Sequence, residues 1–96
     1  MAEIDSRRHV ITSAELVHFK WQLIYNGSPS HMGLRQFDAN GMYRSPYMGM
    51  SEWVLHGQYL MFAGITLLVE RNMDSWGWVI GRGQRTEYHS VEADHV

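Results

Sequence analysis

Histidine is the side chain best suited to proton transfer and metal binding near neutral pH, and this 96-residue chain carries six: His9, His18, His31, His56, His89 and His95. A histidine metal site usually places two ligands close together on one element, as in H-x-H or H-E-x-x-H. No such pair occurs. The nearest grouping is His89-Ser90-Val91-Glu92-Ala93-Asp94-His95, at a chain terminus, where order is hardest to maintain. The scatter predicts surface or hydrogen-bonded histidines, with no metal. His18 falls on the polar side of a strand pattern and His56 beside Gly57, both unremarkable as solvated residues. Ser28, Ser30, Ser45, Ser51, Ser75 and Ser90 include no G-x-S-x-G elbow. Cysteine is absent, which removes disulfides, thiolate ligands and a thiol nucleophile. Gly81-Arg82-Gly83 lacks the further glycine and following helix of a phosphate-cradling loop, and reads as a hairpin turn. The chain is therefore expected to be no enzyme and to need no cofactor.

Two groups of residues suit binding. The first is the segment between residues 26 and 50, which combines Met32, Met42, Met48 and Met50 with Arg35, Tyr43, Arg44 and Tyr47. Methionine adapts its shape, and tyrosine and arginine are enriched at interfaces. Pro29, Pro46 and several glycines punctuate it, as in a surface loop. Arg35, Tyr43, Arg44, Tyr47 and Met48 are the predicted partner-binding residues. The same residues read equally well as core, and composition does not separate the two. The second group is Trp76 and Trp78 with Arg71, Arg82 and Arg85. It could make a stacking platform for a base or sugar, although two tryptophans on one strand more commonly fill a core. The alternative binding face is thus Trp76, Trp78, Arg82 and Arg85.

The elements that would position these residues are mostly strands. Thr12 and Glu15 match a helical capping box, yet Val17, Phe19, Trp21, Leu23 and Tyr25 alternate with a more polar set and run into Asn26-Gly27, a strong turn signal. A strand over 17–25 is predicted, after one helical turn. Asp38-Ala39-Asn40-Gly41 reads as a hairpin turn between Leu34–Phe37 and Met42–Ser45. Residues 53–62 read as one strand or a pair broken at His56-Gly57-Gln58, a buried helix over 52–69 being weakened by Gly57 and Gly64. Strands over 64–71, 76–81 and 85–90, joined by Asn72-Met73-Asp74-Ser75 and Gly81-Arg82-Gly83-Gln84, complete a meander. Ile65, Leu67 and Val69 form its expected core face. Residues 85–90 are polar enough to be an edge strand.

The fold class expected is α+β and β-rich: one small domain over 1–96, an antiparallel meander, at most one or two short helices, and loose ends at 1–8 and 92–96. An apolar content of 45% supports a core. Met1–Arg8 has neither the apolar stretch nor the cleavage site of a secretory signal. Trp53–Val69 is too short and too interrupted to span a bilayer, which takes about 20 apolar residues. A cytoplasmic location is expected, with no membrane partner. The net charge of −2 speaks against a general nucleic-acid binder, whose affinity rests on phosphate contacts. The reading is a non-catalytic binding protein that docks on a protein partner as an inhibitor or adaptor. One concrete version is a phage or mobile-element protein that blocks a host defence complex. The alternatives are a nucleic-acid module using Trp76 and Trp78, and a structural subunit of a larger particle.

Overall fold

In the computed structural model, which describes residues 10–46, 49–72 and 77–91, the capping box forms. The Thr12 hydroxyl accepts from the Glu15 N–H at 3.2 Å, and the Glu15 carboxylate accepts from the Thr12 N–H at 2.9 Å. It opens a short helix, α1 (Ser13–His18), the one helix among the described residues. A helix this short has no stability of its own in water. It is held by burial of Leu16 and by the Trp21 indole N–H, which donates to the Leu16 carbonyl at 3.1 Å. Val17 therefore belongs to the helix, and the predicted 17–25 strand starts at Lys20 because Phe19 turns extended at the helix end.

Strands follow in order: β1 (Lys20–Tyr25), β2 (Ser28–Pro29), β3 (Arg35–Phe37), β4 (Met42–Ser45), β5 (Gly49–His56), β6 (Tyr59–Phe62), β7 (Ile65–Asn72), β8 (Gly77–Ile80) and β9 (Thr86–Val91). Each strand pairs antiparallel with its spatial neighbours. β2 and β3 lie along β1 at different heights, with Ile24 opposite Pro29 and Trp21 opposite Arg35, and so share one place in the ring. The sheet then closes. β9 pairs with β1 over its length, from Lys20 opposite Val91 to Tyr25 opposite Thr86. The small, mostly antiparallel β domain is thus an eight-stranded barrel. This overturns the edge-strand expectation for 85–90, since β9 is paired on both sides, to β8 and to β1. The 53–62 block is two strands, β5 and β6, joined at Gly57-Gln58.

An eight-stranded barrel is just wide enough for its own side chains to fill. Here aromatic rings fill it. Phe37 is fully buried and packs edge-on against Trp21, Trp53 and Phe62 at centroid distances of 6.1, 6.1 and 5.3 Å. Tyr43 lies 4.9 Å from Phe37, and Tyr88 lies 5.4 Å from Phe62. Leu60, Val69, Trp78 and Ile80 complete the interior, and Ile11 and Leu16 join it from the N-terminal side. Val69 is buried and Leu67 packs against this core as expected, but Ile65 is exposed because it begins its strand at the rim.

The β6–β7 turn carries backbone strain. Ala63 has φ +50° ahead of Gly64 at +79°, and a side chain in left-handed geometry costs about 1–2 kcal/mol. Asparagine tolerates that region better. Ala63→Asn is expected to stabilise the fold by about 0.5–1 kcal/mol, measured as a rise in the urea midpoint with an unchanged slope.

Candidate functional site

The barrel separates the predicted binding residues by the direction each side chain faces. Along a strand, alternate residues face inside and outside. Arg35 and Tyr43 take inward positions and are each only 5% exposed. They line the interior, and the surface reading of these two residues is corrected. Arg44, between inward-facing neighbours, is exposed, and its Nε–H donates to Asp38 at 2.6 Å. That hydrogen bond and the Asp38 charge raise the Arg44 pKa further. Tyr47 and Met48 lie outside the described residues.

Trp78 is also interior, 2% exposed, with the Arg71 guanidinium 4.9 Å from its ring centroid. It offers no face to a base or sugar, so the stacking role expected of Trp78 is corrected. Trp76 lies outside the described residues. Arg82 and Arg85 are exposed. Arg82 is committed to its own surroundings, donating to the Arg71 carbonyl at 2.9 Å and pairing with Glu70 at 3.6 Å.

Among the described residues, no group of three or more His, Asp or Glu side chains is placed to hold a metal ion. His9 and His95 lie outside that range. His89 sits 2.8 Å from a Glu87 carboxylate oxygen, and the Gly83 N–H donates to the other oxygen at 2.8 Å. The His89 bond first, and the Gly83 N–H second, hold the Glu87 pKa below the ordinary carboxylate value. This pair pins the β8–β9 turn to β9.

Two features remain that side-chain chemistry alone did not single out. The first is the outer face of β5, β6 and β7. Val54 stands opposite Met61, and Met61 opposite Thr66. Met50, Val54, Tyr59 and Met61 are 64, 54, 54 and 41% exposed. Glu52, Val54, Met61, Ala63, Gly64 and Thr66 help to line a shallow groove of about 340 Å³ in this face. In the sequence, the mixed polarity of Val54-Leu55-His56 and Tyr59-Leu60-Met61 hid the patch. Its signal was an apolar residue on both faces of one strand, visible only once the inward set is known.

The second is an interior polar group. Tyr43 and Tyr88, from β4 and β9, both pack against the Phe62 ring, at 4.7 and 5.4 Å between centroids. Burial, then Tyr43, push the Tyr88 pKa well up, against a smaller opposing effect of the Arg35 charge. The Arg35 Nη1 donates to the Gly33 carbonyl at 2.9 Å. Ser51, opposite Tyr43 on β5, has a buried hydroxyl with no hydrogen-bond partner.

No family model, curated protein or solved structure matches the chain.

Proposed function

We propose that this chain is a non-catalytic binding protein that docks on a protein partner through the outer face of β5, β6 and β7. The observation that carries the reading is the exposed set Val54, Met61 and Tyr59, adjacent across β5 and β6, with Met50 beyond Glu52 on the same outward row, on one side of a barrel whose interior is already filled. Apolar side chains grouped on a surface, with polar residues around them, mark interaction sites. Glu52, His56 and Thr66 supply that polar rim. Methionine and tyrosine are the residue types that make such faces adaptable and energetically strong. The partner contributes an apolar surface of its own, since nothing in this face offers a concentrated charge. An inhibitor or an adaptor is the form of action such a face suits, because it works by occupying a partner's surface.

The test is site-specific photo-crosslinking at Val54 and, as a control, at Thr12, which is not part of the β5–β7 face, in lysate of the source organism. A protein captured from Val54 and not from Thr12 is then purified and its affinity measured. Val54→Lys with Met61→Lys is expected to weaken that complex by about 2 kcal/mol or more, the scale of a hot spot. Folding stability should change by within about 0.5 kcal/mol per substitution, because both side chains already face water. A partner that binds the double variant normally places the interface elsewhere and ends the proposal.

A further inference from the structure

The outward row of β5 reads Met50, Glu52, Val54 and His56, all exposed. It thus carries a carboxylate and an imidazole at equal distances, about 7 Å, on either side of Val54. The neighbouring strands extend this row into levels. Val54, Met61 and Thr66 stand in line across β5, β6 and β7. On one flank of that line stand His56, Tyr59 and Leu68, also level with one another. On the other flank stands Glu52, which lines the groove together with Ala63 and Gly64 of the β6–β7 turn. The two flanks are complementary. The His56 flank projects, because it carries the half-exposed Tyr59 ring. The Glu52 flank is hollow, because a small residue and a glycine stand beside it. The imidazole has an N–H to donate in either charge state, and the carboxylate accepts.

We propose that the free chain masks this face with a second copy of itself, across a two-fold axis that runs along the Val54–Met61–Thr66 line; the proposal rests on the docking reading of the same face and supplies its regulation. Rotation by 180° about an axis lying across the strands turns one face onto the other and reverses the strand direction. Each flank then meets the opposite flank of the second copy, and every contact occurs twice, as in an isologous interface. His56 of each copy comes over Glu52 of the other, and Tyr59 over the other's Ala63-Gly64 hollow. Val54 and Met61, on the axis, cover their own counterparts. Charge selects this axis. One running along the strands would set Glu52 on Glu52, and like charges face to face select against an arrangement. The face is three strands wide, about 15 by about 20 Å, well short of the roughly 800 Å² per partner of a stable interface. The dimer is therefore weak, and it yields the face to a partner that binds more tightly.

The experiment is sedimentation equilibrium of the whole purified chain, from about 1 µM to about 1 mM, the range of weak association. A rise from one chain to two is expected within it. Glu52→His and His56→Glu should each weaken the dimer at least about fivefold, since each removes two rim pairs and sets like groups together. The two substitutions combined rebuild the pair with its members exchanged, and should return the affinity to within about twofold of the original. Tyr59→Ala should weaken it about tenfold or more, the loss of an aromatic anchor. A photo-crosslinker at Val54 of the purified chain should give a covalent dimer, and one at Thr12 should not. This crosslink leaves the Glu52 and His56 pair untouched and decides if those variants do not fold. A chain that stays single to about 1 mM and gives no Val54 crosslink overturns the proposal. So does a dimer that the exchanged pair does not restore. The docking reading fails by a different result. A lysate partner that binds the Val54→Lys, Met61→Lys variant normally ends the docking face and leaves the self-association standing, whereas a partner captured from Val54 beside a chain that never dimerises ends the masking and keeps the docking face.

Discussion

Replacing Phe37 by alanine is expected to cost about 3–5 kcal/mol. Phe37 is fully buried at the junction of the aromatic core, in ring contact with Trp21, Tyr43, Trp53 and Phe62. These neighbours come from β1, β4, β5 and β6, so no one strand can move in to fill the space without breaking its ladder to the next. The cavity term therefore adds in full to the lost transfer free energy. A domain of this length has roughly 5–14 kcal/mol of total stability, and the variant should sit at the margin of folding at 37 °C. Urea unfolding followed by tryptophan fluorescence measures it. A midpoint that drops with little change in slope reports lost packing. A loss below about 1 kcal/mol would mean that the rings repack freely and that the interior is not the close-packed unit described.

What could be read from the sequence was local. Asn26-Gly27 and Asp38-Ala39-Asn40-Gly41 gave turns whose chemistry lies within four residues, and both turns form. Asn26 and Gly27 take φ +50° and +81°, and the Asp38 N–H donates to the Met42 carbonyl at 2.7 Å. The two conflicting signals in 12–25 were both right, each over its own half. The capping box fixes α1, and the alternation fixes β1 from Lys20 onward.

Closure was not legible. It joins Trp21 to Ser90 and Leu23 to Tyr88, pairs far apart in the chain with no local signature. The polar residues of β9, such as Glu87 and His89, looked like edge protection. In a closed barrel the outward row of a strand such as β9 can face water while the strand is paired on both sides, so polarity on that row says nothing about whether the strand is an edge. The same geometry misled the reading of Arg35 and Tyr43. Their residue types suit an interface, and the turn-rich segment around them suits a loop. Which residues of a short strand point inward depends on a register that only the neighbouring strands define. The outer patch was hidden for the complementary reason. Val54 and Met61 stand out as surface residues only once Leu60, Phe62 and Tyr43 are seen to fill the interior.

Gly81→Val is expected to cost about 2–5 kcal/mol, through two separable causes. Gly81 has φ +75° at the start of the turn into β9. A β-branched residue there adopts left-handed backbone geometry, at about 1–2 kcal/mol. The second cause is crowding. A β-carbon would lie 3.2 Å from the Leu67 Cδ1 and 3.2 Å from the Thr86 carbonyl oxygen. Leu67 can turn aside. The Thr86 carbonyl belongs to the first residue of β9, and moving it disturbs the strand that closes the barrel on β1. Overpacking of this kind costs about 1–3 kcal/mol. Gly83 supplies the control. It lies in the same turn at φ +84°, and a β-carbon there meets nothing within 4 Å. Gly83→Val should therefore show the backbone cost alone. Urea unfolding of the two variants side by side isolates the crowding as their difference. Equal losses would show that the start of β9 yields without resistance, and that closure on β1 is set farther along the strand, where Leu23 pairs with Tyr88.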